Sequence, residues 1–284
     1  MIKAILFIII ALTVCNMRSQ DRTEMAFYNI GLGSIFGGVG AVINKKPGEK
    51  TGDVLLKGMW QGALGGYLIY ESKNLVSKIP KEEEWGYSWG AKFVNAAGTS
   101  IVENAASNRD FWEQWHLHIG FNRLEFYTKD KFKVKYKILP VSFILTGITA
   151  TKTKFELSRS LQTGELVFSD QVREDRRWLG YTLGNVMVLD ENYVNDYFVF
   201  SHEVIHVYQY YDYNAFNAFL EKPLTNWSEK STTFNTINNL LHFDVQEPLI
   251  FAVRRLSAGN VKSGFENFFE LEAEFYSRDG NLKD

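Results

Sequence analysis

Between residues 25 and 107, small residues recur at every fourth position. Gly33, Gly37 and Ala41 form one run and Gly58, Gly62 and Gly66 a second; Gly90, Val94 and Gly98 form a third, beside Ala97, Ile101 and Ala105. Positions four apart share a helix face, so each run makes a smooth stripe on which another helix can pack at close range. In water each glycine weakens a helix by about 1 kcal/mol relative to alanine. The stripes therefore need partners, and two readings follow: a packed helical subdomain, or a hairpin that touches or enters a membrane. Met25–Ile43 has no charged residue and is nearly long enough to cross a bilayer, whereas the next two segments carry Lys57, Lys92 and Glu103. Polar residues 44–52, and Pro80 with the acidic stretch after it, break the helices apart.

From about Phe111 the period changes from helical to alternating. Leu117, Ile119 and Phe121 interleave with His116, His118 and Gly120, and Phe132–Ile138 alternates apolar and basic residues, as a half-exposed strand does. Thr128–Lys131 reads as the turn between these strands. Val141–Ile148 and Lys154–Leu157 read as further strands, and Gln162-Thr163-Gly164 as the turn into Glu165–Phe168. Asn185–Asp190 is the last β-run. Asn195 or Asp196 then caps a helix over Tyr197–Tyr213, and a final helix covers Phe265–Tyr276. The stretches between, Asn214–Pro223 and Phe234–Ala258, read as mainly helical or irregular. The expected fold is α+β, a Gly/Ala-rich helical region over 20–108 followed by a domain over 109–284 with an antiparallel or mixed sheet.

The N-terminus carries an address. Met1-Ile2-Lys3 is basic, Ala4–Val14 is unbroken apolar and Arg18–Asp21 is polar, which reads as a signal peptide over 1–19. Export to a bacterial-type periplasm or cell envelope is the expectation. The only cysteine, Cys15, lies inside this segment in a lipobox-like setting, with Val14 too bulky for a good lipidation site. Removing 1–19 takes the formal net charge from -2 to -4 and leaves no thiol, hence no disulfide and no cysteine-based metal site or nucleophile. A balance this close to neutral offers no field for nucleic acid. The glycine patterns at Gly31-x-Gly33 and Gly48–Thr51 lack the strand context or residue order of phosphate-binding loops.

Chemistry concentrates at Ser201-His202-Glu203-Val204-Ile205-His206, an H-E-x-x-H pattern. On a helix, His202 and His206 stand one turn apart and offer two imidazoles to one Zn²⁺, with Glu203 beside them to take a proton from a metal-bound water. A third donor is required. The C-terminal segment presents Glu266, Glu270 and Glu274 on one helical face, flanked by Phe269 and Ala273. Three like charges on one stripe repel unless a cation or solvent relieves them.

The pair H-E-x-x-H followed by E-x-x-A-E resembles the gluzincin branch of the zincin metallopeptidases. That resemblance, confined to the two motif helices and the β-run before them, implies zinc ligands His202, His206 and Glu270. It also implies Glu274 holding a histidine and Glu203 as general base. The separation of 64 positions between His206 and Glu270 is long for compact members, and Glu274 stands where aspartate is more usual. Glu272, or more weakly Glu247, is the fallback ligand.

Gln209, on the same face as both histidines, either bonds a ligand or substrate or caps a buried polar group. Tyr193, Tyr210, Tyr213, Tyr276 and His242 are candidates to steady an oxyanion, although tyrosines at helical spacing usually belong to a core. His116 and His118 share a strand face without an adjacent acid cluster to complete a metal site, and structural roles are expected. The resulting expectation is an exported zinc-dependent hydrolase cleaving a peptide or protein, its β-run 185–189 pairing with extended substrate. The alternative is a non-catalytic envelope protein of zincin-like fold, anchored through membrane contact of residues 25–107.

Overall fold

The structure, a computed structural model, describes residues 21–171, 179–250, 253 and 267–278. The leader over 1–19 with Cys15, the stretch from Arg254 to Phe265, and Glu266 of the glutamate stripe lie outside the described residues.

Three long helices open the chain: α1 (Arg22–Ile43), α2 (Thr51–Val76) and, after the short α3 (Lys78–Glu82), α4 (Gly86–Ala106). The glycine stripes are spent on one another. A methyl on Gly33 would lie 2.4 Å from the Gly62 carbonyl oxygen, one on Gly37 2.3 Å from that of Gly58, and one on Gly65 2.6 Å from that of Gly98. Backbone thus meets backbone along α1–α2 and α2–α4, an approach that side chains would forbid. Gly90 is different, since nothing lies within 4 Å of its missing methyl. Asn44, just past α1, donates to the carbonyls of Ala106 and Ala218 at 2.9 and 2.8 Å, tying this bundle to later chain.

Two small sheets follow. β1 (Gln114–Ile119), β2 (Asn122–Tyr127) and β3 (Lys133–Ile138) form an antiparallel meander. After helix α5 (Pro140–Ala150), the strands β4 (Lys154–Phe155), β5 (Leu166–Asp170), β6 (Gly180–Leu183) and β7 (Val186–Asp190) form a mixed sheet ordered β4-β5-β7-β6. Helix α6 (Leu157–Thr163) connects β4 to β5, and β5 runs parallel to β7. The fold class is α+β, as the change of period indicated.

Two expectations are corrected. Val141–Ile148 is a helix, not a strand. Pro140 sits in its first turn, where no N–H is needed, and the distant Asp244 carboxylate accepts from the backbone N–H groups of Val141 and Ser142 at 2.9 and 2.8 Å. An acid at a helix N-terminus satisfies orphan donors and complements the dipole. The second correction concerns β7, which lies inside its sheet between β5 and β6 with every residue buried. It therefore cannot pair with a substrate; among the described residues the edge strands of this sheet are β4 and β6.

Helix α7 (Tyr197–Asp212) carries the H-E-x-x-H residues and starts where Asp196 accepts from the Val199 N–H at 2.9 Å. A 3₁₀ segment (Asn214–Leu220) leads to α8 (Glu221–Lys230), with Pro223 tolerated in its first turn, and α9 (Thr232–Leu240). Helix α10 (Phe268–Ser277) packs along α7. One continuous core joins Met25 and Phe36 of α1, Ile69 of α2 and Val102 of α4 to Met187, Val204 and Phe269. The motif helices are thus bedded on the glycine-striped bundle.

Candidate metal centre

Helical spacing places the imidazoles of His202 and His206 on one face of α7, their ring centroids 4.9 Å apart. Across from them, Asn267 caps α10 by accepting from the N–H groups of Phe269 and Glu270, which sets Glu270 in the first turn. One Glu270 carboxylate oxygen lies 3.3 Å from His202 Nε2 and 3.5 Å from His206 Nε2. Donors bound at about 2.1 Å around a tetrahedral centre stand roughly 3.4 Å apart, so these three atoms could hold a metal ion. Burial raises the Glu270 carboxyl, but its bonds to the two imidazoles outweigh that and hold it far below the usual carboxylate range.

The tautomer of His206 follows from its neighbour. Gln209 Nε2 donates to the Phe269 carbonyl at 2.8 Å and to Glu272 Oε2 at 2.9 Å, so its oxygen faces His206 Nδ1 at 2.8 Å. An amide oxygen accepts only, so Nδ1 carries a proton, and whenever the imidazole is neutral its lone pair is at Nε2, on the side of Glu270. Glu274 Oε2 lies 3.7 Å from His202 Nδ1 and the same carboxylate pairs with Arg278. Gln209 thus stands behind His206 at hydrogen-bond distance, the arrangement that orients a metal-bound imidazole, whereas Glu274 faces His202 at ion-pair range only.

Glu203 points elsewhere. It is buried against β6, where the Thr182 hydroxyl donates to its Oε2 at 2.8 Å. A methyl on Gly180 would fall 2.9 Å from Glu203 Cγ. Glycine there leaves the space the carboxylate occupies. Burial raises the Glu203 carboxyl, partly offset by the His206 and His202 charges.

Glu272 is not a third donor. It is fully buried and turned away, 2.8 Å from Lys73 Nζ of α2, which also reaches Asp212 Oδ2 at 2.7 Å and Asn29 Oδ1 at 3.0 Å. A chain of contacts therefore runs from the glycine-striped bundle through Lys73, Glu272 and Gln209 to His206. Glu247 lies near Gly184, at the β6–β7 turn. Sequence reasoning named Gln209 without deciding its role and missed Lys73, Thr182 and Gly180. Lys73 lies in a helix that also carries Asp53, Lys57 and Glu71, so nothing in the pattern singles it out, and the sequence pattern marks no strand over Gly180–Leu183 for the other two.

Three of the tyrosine candidates are core residues: Tyr210 bonds Ser142 and Asp244, Tyr213 faces Tyr28, and Tyr276 is buried in α10. His116 and His118 do meet acids, contrary to expectation. Glu103 of α4 and Glu125 of β2 stand beside them, and Arg123 holds both at 2.6 and 2.8 Å. His116 Nδ1 is 3.6 Å from Glu103, His118 Nε2 is 3.0 Å from Arg123, and His242 Nδ1 is 3.9 Å from Glu125. With its carboxylates paired to arginine, this cluster is a buried ionic network rather than a second metal site. Comparison of the chain with protein-family models, with curated proteins and with solved structures finds no match.

Proposed function

We propose that the chain is a zinc-dependent hydrolase of the zincin type, acting on a peptide or protein substrate. The observation that carries this reading is the convergence of His202 Nε2, His206 Nε2 and a Glu270 carboxylate oxygen, with Glu203 beside them and unspent on that triangle. Two imidazoles and one carboxylate form a donor set suited to Zn²⁺ with a position left open. When bound there, the ion would lower the pKa of a water and polarise a carbonyl.

This chain's own residues do the rest. Glu203 accepts a proton at its carboxylate and returns it to the leaving amine, a role favoured by a carboxyl raised through burial. Thr182 fixes its rotamer from β6. Gln209 holds the His206 imidazole in the tautomer that presents Nε2, and the Glu274 carboxylate faces Nδ1 of His202. The edge strand β6, beside α7, is the strand on which an extended peptide could align by main-chain hydrogen bonds.

Elemental analysis of purified protein tests the metal and variants test the chemistry. Near-stoichiometric zinc is expected, lost in His202→Ala and in Glu270→Ala. Glu203→Gln should keep the metal while peptidase activity drops by about 10²–10⁴-fold or more. Folded protein that takes up no metal would sink the proposal. Metal retention with no cleavage of any denatured or peptide substrate would leave the non-catalytic alternative.

A further inference from the structure

The meander β1–β3 is inside out. Its buried face carries Gln114, His116, His118, Arg123 and Glu125, the ionic network described above. Its opposite face is apolar: the register aligns Trp115, Phe126 and Val134 in one cross-strand row and Leu117, Leu124 and Tyr136 in the next. Val134 and Tyr136 are exposed, and Phe132, two residues before Val134, is 72% exposed. Helix α5 repeats the inversion. It buries Ser142, Thr146 and Thr149 and turns Phe143, Ile144 and Ile148 to solvent, Ile144 at 59% exposure. Phe121 meets Phe143 edge to face at 5.1 Å and joins the two surfaces. Among the described residues nothing covers them, and a contiguous apolar face on both a sheet and a helix marks a binding surface.

Charge selects the occupant. From Tyr127 to Phe155 the chain holds seven lysines and one acid, Asp130, in a protein whose net charge is -2. Lys129 and Lys154 are paired with Glu113 and Glu156. Lys131, just before the edge strand, and Lys152, past the far end of α5, are exposed at the margins of the apolar patch, while alternation sends the exposed Lys133 to the other side of β3. A second copy docked on this face would bring the same lysines together. Acidic lipid headgroups neutralise them, while apolar side chains enter the boundary between headgroups and acyl chains.

We propose that this face docks on an anionic lipid surface, with Phe132, Phe143, Ile144 and Ile148 at the acyl boundary and the lysines among the headgroups. The contact is interfacial, since α5 has only eleven residues and a span needs about twenty. Each exposed lysine near the surface contributes about a fivefold gain in partitioning.

The test places a probe on the face itself, so that membrane attachment elsewhere in the chain does not register. The full chain with Cys15→Ser and Ile144→Cys is labelled with nitrobenzoxadiazole and mixed with vesicles. A blue shift is expected with phosphatidylcholine and phosphatidylglycerol at 7:3, and none with phosphatidylcholine alone. The same label at Lys78→Cys, beyond the opposite end of α2 from the Lys57–Asp110 pair, should not respond. Adding Lys131→Gln and Lys152→Gln should weaken the response roughly 25-fold, and 0.5 M salt should weaken it as well. An unshifted probe overturns the proposal and points to a protein occupant. Equal shifts on both vesicle types, or a concentration-dependent shift without vesicles, overturn it as well.

Discussion

Gln209 shows how one side chain can fix the chemistry of another. Its amide donates twice toward α10, so only its oxygen is left for His206, and the imidazole has one tautomer available. Gln209→Met removes the acceptor while keeping similar volume. The expected result is a 10–100-fold weaker affinity for zinc, measured by competition with a chromogenic chelator, with near-ultraviolet dichroism unchanged. Unaltered affinity would mean that the amide only fills space. Glu203 and Glu270 make the complementary point: burial and two imidazoles push neighbouring carboxyls in opposite directions, one up and one down. That separation is what the proposed acid–base role of Glu203 beside a ligand at Glu270 would require.

At the scale of elements, the glycine stripes divide into positions that are occupied by a neighbouring backbone and positions that are not. Gly62→Ala would place a methyl 2.1 Å from the Gly33 carbonyl oxygen, and should cost about 1–3 kcal/mol despite the gain in helix propensity. Gly90→Ala meets nothing within 4 Å and should stabilise by about 1 kcal/mol. Urea unfolding of the two variants should therefore move in opposite directions. The sequence could not separate these cases, because a fourth-residue period reveals that a stripe exists but not which helix faces it. What it did make legible was local: the caps at Asp196, the turn at Thr128–Lys131, and the face shared by His202 and His206. What it hid was tertiary. Asp244, more than ninety residues away, turns Val141–Ile148 into a helix by satisfying its first N–H groups. β5 and β7 pair directly and in parallel although β6 separates them in sequence, which no alternation of residues announces.

The whole molecule rests on a buried ionic centre, and that sets its response to acid. Burial, reinforced by the Arg123 charge, holds His116, His118 and His242 well below the usual imidazole range. Burial raises Glu125, yet Arg123 and Lys137 outweigh it and hold the carboxyl at about 2. In the unfolded chain the histidines take up protons near pH 6.5 and Glu125 near 4.5, whereas the native state refuses them. Each such group contributes stability that is complete above its unfolded pKa and falls as pH drops, by up to about 1.4 kcal/mol per unit. With three histidines the decline below pH 6.5 reaches about 4 kcal/mol per unit, against a total of about 5–15. Acid unfolding followed by far-ultraviolet dichroism in chelator should therefore have its midpoint above pH 4, moving lower in His242→Gln. A flat stability curve from pH 7 to 4 would contradict the neutral buried histidines.

The distance along the chain between α7 and α10 has a consequence in time. At about 5–20 residues per second of synthesis, His202 and His206 emerge roughly 3–13 s before Glu270. Until then the pair has no carboxylate opposite, Gln209 lacks both of its α10 acceptors, and Lys73 has Asn29 and Asp212 but not Glu272. An ion met in that interval sees two bare imidazoles, which favour copper over zinc. On the proposed reading, the complete three-donor set exists only once residue 270 has arrived.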